Sequence, residues 1–67
     1  MEKDWVHVYS TDKLFQAEIL KQVLADHNIE AVIINKKDSS YKFGEIEVYV
    51  RHDHIIEAKM LAKEFDS

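Results

Sequence analysis

The spacing of apolar residues changes period along this chain, and those changes set the order of its elements. Trp5-Val6-His7-Val8-Tyr9 alternates with period two and is rich in β-branched and aromatic residues, so it reads as a strand. Ser10-Thr11-Asp12 then offers three residues able to cap a helix, and Asp12 suits the positive end of a helix dipole. From Lys13 to His27 the period becomes helical, with Ala17, Leu20, Val23 and Leu24 on one stripe and Ile19 beside it. Asn28 is expected to close that helix in the left-handed region, which asparagine tolerates better than most residues. Ile29 to Ile34 reads as a second strand, and Glu45 to Val50 alternates cleanly as a third. Between them Asn35 to Gly44 is polar and reads as a loop. Asp53 is expected to cap a last helix reaching Phe65, whose stripe is Ile55, Ala58, Leu61, Ala62 and Phe65.

The order is therefore βαββα. A right-handed crossover makes the first two strands parallel, and the third returns antiparallel after the loop. With the third strand in the middle, the sheet order is 2-3-1 and both helices cover one face. This is an α+β, ferredoxin-like arrangement lacking the last strand of the split βαβ unit. A plain meander is the alternative, but the helix between the first two strands speaks against it. Sixty-seven residues bound this to one domain, spanning 1–67.

Composition narrows the chemistry. There is no cysteine, no proline and one glycine, which excludes a disulfide scaffold and thiolate ligands. No apolar run approaches the ~20 residues of a membrane span. The charged start Met1-Glu2-Lys3-Asp4 does not look like a signal peptide, so the expected location is cytoplasmic. No nucleophile elbow or glycine-rich phosphate loop is present. Four histidines, His7, His27, His52 and His54, invite a metal reading. His52 and His54 fall where a helix starts, though, and residues two apart do not share a helix face. Glu45 and Glu47 read as a solvated strand face. The expectation is no enzyme, no catalytic residue, no metal and no cofactor.

The strand alternation predicts what the uncovered side of the sheet carries. Val6 and Val8, Ile29, Ala31 and Ile33, and Ile46, Val48 and Val50 are expected to meet the helices. That turns Trp5, His7, Tyr9, Val32, Ile34, Glu47 and Tyr49 outward. A wet sheet face is normally mostly polar, so this aromatic set reads as an interaction face for a protein partner or a second copy. The bland alternative is a set of cross-strand pairs that only stiffen a thin sheet. The first strand is also an edge with no proline or lysine in Trp5 to Tyr9, which suggests a homodimer or other homo-oligomer joined edge to edge. Ile56 and Met60 lie on the flank of the last helix and could pack on a neighbour.

A second candidate is the loop. Asn35, Lys36, Lys37, Asp38, Ser39, Ser40, Tyr41, Lys42 and Phe43 carry three lysines against one aspartate, in a chain whose net charge is −4. Such a loop suits a small anionic ligand, with Tyr41 and Phe43 over it, or serves as a solvated connection. Nucleic acid is not expected as a partner, because the aromatic face also carries glutamates and the chain is acidic.

The ordered segments Val8-Tyr9-Ser10-Thr11-Asp12, Ala17-Glu18-Ile19-Leu20, Asn28-Ile29-Glu30-Ala31, Lys37-Asp38-Ser39-Ser40 and Phe43 to Val50 carry a further signal. Over nearly the whole length the chain resembles the putative prokaryotic signal-transducing protein family, small bacterial domains of unknown function. That resemblance implies a fold similar to the PII (GlnB-like) nitrogen regulators, which are ferredoxin-like trimers. By the same resemblance, Asn35 to Gly44 takes the place of the loop through which PII proteins touch their targets. The chain is much shorter than a PII protein and lacks a fourth core strand and a nucleotide-binding segment. Sensing of ATP or 2-oxoglutarate is therefore not implied.

Overall fold

The computed structural model describes residues 4–35 and 46–66. In chain order the elements are β1 (Trp5–Thr11), α1 (Leu14–Asp26), β2 (Ala31–Asn35), β3 (Ile46–Arg51), a 3-10 turn over His52–His54, and α2 (Ile55–Asp66). The sheet order is β1-β3-β2, and β3 runs antiparallel to both neighbours. This is the α+β, ferredoxin-like order expected from the sequence, with α1 and α2 packed on one face.

Alternation places the core. Ile46, Val48 and Val50 of β3 are buried beneath Ala17, Leu20 and Leu24 of α1 and Ala58 and Ala62 of α2. Ala31 of β2 joins them, with Ile33 packed at the margin. Each fully buried leucine, isoleucine or valine contributes about 1.5–3 kcal/mol by leaving water. Three alanines at the helix–sheet contact let the helices lie close to a small sheet.

The ends of α1 show how side-chain chemistry sets a boundary. Asn28 has φ 62°, as its position after the helix predicts. Its amide donates to the Ala25 carbonyl at 2.9 Å, and the Ile29 amide reaches back to the Leu24 carbonyl at 2.9 Å. Together these bonds satisfy two carbonyls that the helix end would otherwise leave open, and Ile29 packs down beside Leu24 in the core.

The start of α1 differs from the sequence expectation. None of Ser10, Thr11 and Asp12 is the N-cap; Lys13 holds that place, with no side-chain cap. Ser10 and Thr11 instead prolong β1, pairing with Glu47 and Ile46. Thr11 is buried, and its hydroxyl accepts the Lys13 amide at 3.1 Å and donates to Gln16 Oε1 at 3.0 Å. A hydroxyl that serves the turn from inside the strand replaces one that caps from outside the helix. Likewise α2 begins after the 3-10 turn, so Asp53 lies in that turn and not directly before the α-helix.

Candidate functional site

The side of the sheet away from the helices is assembled from three cross-strand rows. Trp5 of β1 pairs with Arg51 of β3. His7 pairs with Tyr49, and Tyr49 with Val32 of β2. Ser10 pairs with Glu47, and Glu47 with Ile34. Opposite residues in antiparallel strands share a face, so the eight form one surface. Of the residues expected there, Trp5, His7, Val32, Ile34, Glu47 and Tyr49 are all present.

Tyr9 is not, and this corrects the sequence reading. The register slips between His7 and Tyr9, so Val8 is an extra residue with no partner on β3 and Tyr9 falls opposite the inward Val48. A β-bulge of this kind turns every later side chain over. The Tyr9 ring therefore lies on the helix side, edge-on to Phe65 of α2 at 5.7 Å between centroids. Its hydroxyl points to Gln16 Oε1 of α1 at 3.4 Å. The same slip brings Ser10 onto the open face.

Sequence reasoning also left out Arg51, although counting by two from Glu47 and Tyr49 reaches it. Its guanidinium sits over the Trp5 ring at 5.0 Å from the centroid. Its Nε meets Glu30 Oε1 at 3.3 Å, and Nη1 lies 4.0 Å from Asp4 Oδ2. One cation on the central strand thus ties the residue before β2 to the start of β1. The adjoining His52 amide donates to the Asp4 carbonyl at 2.6 Å and extends that join. These ion pairs are largely solvated and individually weak; the arginine on the indole adds about 0.5–1 kcal/mol at an exposed site.

The middle row is held by rings. His7 meets Tyr49 edge-on at 5.6 Å, and its Nε2 is hydrogen-bonded with Ser10 Oγ at 2.5 Å. The Tyr49 hydroxyl donates to Glu47 Oε1 at 3.0 Å. Polar groups are therefore paired to one another around a half-buried strip of Trp5, Tyr49, Val32 and Ile34. The arrangement offers apolar area with fixed donors and acceptors beside it.

Of the loop candidates, Asn35 is the last residue of β2 and pairs with Ile46. Lys36, Lys37, Asp38, Ser39, Ser40, Tyr41, Lys42 and Phe43 lie outside the described residues, as do Gly44 and Glu45. His52 and His54 are exposed in the 3-10 turn. His27 closes α1 and approaches Glu57 of α2, Nδ1 to Oε2 at 3.9 Å. Among the described residues no group of three or more metal-ligating side chains converges. No described helix is long and apolar enough to cross a membrane.

A family model described as putative prokaryotic signal transducing protein matches residues 5–66, from the first residue of β1 to the last of α2. The chain belongs to that family. No curated protein and no solved structure matches it. The family description supports a signal-transducing role at that level of detail. The matched span includes the whole open sheet face as well as the helices.

Proposed function

We infer that the protein is a non-enzymatic interaction module of a signalling system, meeting a protein partner or a second copy of itself through the open sheet face, with the neighbouring β1 edge open to a partner's strand. One observation carries this. Three strands place Trp5, Tyr49, Val32 and Ile34 together on a face that no described helix covers, with Arg51, Glu47 and His7 paired around them. Aromatic and arginine side chains in such a setting are the usual anchors of protein interfaces. The two-layer build leaves this surface free of any duty in the core, which lies wholly on the other side of the sheet.

Photo-crosslinking in the host tests it. A benzophenone amino acid at position 32 or 49 is expected to give discrete protein adducts, and the same group at position 21 on exposed α1 none. Adducts with the chain itself identify self-association, and sedimentation at micromolar concentration should then show a dimer or larger species that Trp5→Ala shifts to monomer. Absence of adducts from both sheet positions counts against the proposal.

A further inference from the structure

The two edges of the sheet are built differently. β2 is a regular five-residue strand, whereas β1 is bulged at Val8; each has a helix lying along it, α1 on β2 and α2 on β1. Between β1 and α2 runs a groove of about 400 Å³, lined by His7, Val8 and Tyr9 on one side and Lys59, Ala62 and Lys63 on the other. Val8 and Ala62 give it apolar walls. Lys59 and Lys63 are one turn apart on the same flank of α2 and so reach over the strand edge together. Both are exposed, and neither has an ion-pair partner among the described residues. In a chain with a net charge of −4, this edge carries a local excess of positive charge.

Topology says what shape would fill the groove. A right-handed crossover from β3 through α2 places a further strand beyond β1, because α2 already lies over β1. That is the position of the last strand in the complete six-element unit, and no described residue occupies it. A strand there hydrogen-bonds to the outer backbone of β1 and alternates its side chains between the helix layer and the open face. Those on the helix side meet Lys59 and Lys63; those on the other extend the Trp5 and His7 side of the open face.

A second copy of β1 fits this position poorly. Two-fold pairing of β1 with itself brings two bulges into one ladder and sets four lysines from the two α2 flanks near one another. The sequence of β1 lacks a lysine or proline guard, but the fold supplies both a bulge and a pair of lysines, devices that discourage like pairing with like. Opposite charge reverses that repulsion.

We propose that the β1–α2 groove takes an extended acidic segment of a partner protein as a fourth strand, with acidic side chains toward Lys59 and Lys63 and apolar ones toward the open face. The site rests on reading β1 as a binding edge, and it stands or falls separately from the open face itself.

The test is titration of the 15N-labelled protein with a capped Glu-Val-Glu-Val-Glu-Val peptide and its Lys-Val counterpart. The acidic peptide is expected to shift amides of Trp5–Thr11, Lys59 and Lys63, with affinity falling as salt rises. The double variant Lys59→Glu, Lys63→Glu, checked for fold by circular dichroism, should bind the acidic peptide roughly fivefold more weakly, as two solvated ion pairs warrant. It should also accept the lysine peptide in its place. No β1 shift at millimolar acidic peptide overturns the proposal, as does binding indifferent to the charge reversal. Shifts confined to Val32 and Tyr49 would also overturn it while leaving the open-face reading intact. Concentration-dependent β1 shifts without peptide would give the edge to a second copy and likewise refute an acidic partner.

Discussion

Tyr9 shows how much rests on one side chain's direction. Its ring is packed against Phe65 and its hydroxyl against Gln16, so it joins β1 to both helices. Tyr9→Phe keeps the ring and should cost at most about 1 kcal/mol, the net worth of an ordinary hydrogen bond. Tyr9→Ala removes a half-buried aromatic and should cost about 2–4 kcal/mol. Urea denaturation measures both. Near-equality of the alanine variant with wild type would return Tyr9 to the solvent side. From sequence the error was unavoidable, because Val6-His7-Val8-Tyr9 alternates faultlessly and a bulge without glycine leaves no mark in residue types. Asn28 was the opposite case: an asparagine directly after a helical stripe has few other uses, and the backbone there is left-handed as expected.

At the scale of elements, the three strands and two α-helices came through from periodicity, and the 3-10 turn before α2 did not. On β2 and β3 the inward and outward sets were legible because each holds its period over its own length. Boundaries were not, where one residue type serves two purposes: Ser10 and Thr11 are good caps and also good strand residues, and pairing with β3 decided for the strand. The bulge itself makes a prediction. Because Val8 has no partner, its deletion should join His7 to Tyr9 as a regular ladder and leave Tyr9 and Thr11 on the helix side. The cost should be the lost packing of one half-buried valine, about 1–2 kcal/mol. Deleting Val6 instead shifts Trp5 out of register with Arg51. Amide exchange and the ring-current shifts of Tyr9 would distinguish a preserved register from a flipped one. A Val8 deletion that unfolds the protein would mean the bulge is structurally required.

Over the whole molecule, the candidate face was largely readable because it is only the outward half of three alternating strands; the groove beside β1 was not, because Lys59 and Lys63 meet β1 through tertiary packing alone. The outer side of the helical layer also exposes apolar residues, with Ile56 at 76% and Met60 at 60% exposure. The two lie one turn apart on α2 and form one exposed apolar pair, which is ordinary on a small protein and does not by itself call for a partner.

Among the described residues, β3 is the only strand with a neighbour on each side. Its even-numbered residues Ile46, Val48 and Val50 are sealed under the helices, while Glu47, Tyr49 and Arg51 look the other way. A saturation library scored once for cellular abundance and once for signalling output should therefore split this hexapeptide into two interleaved combs. Abundance would be sensitive at every even position and output at every odd one. With the open face as the proposed binding surface, selection can then change the odd positions one tooth at a time without touching what keeps the chain folded.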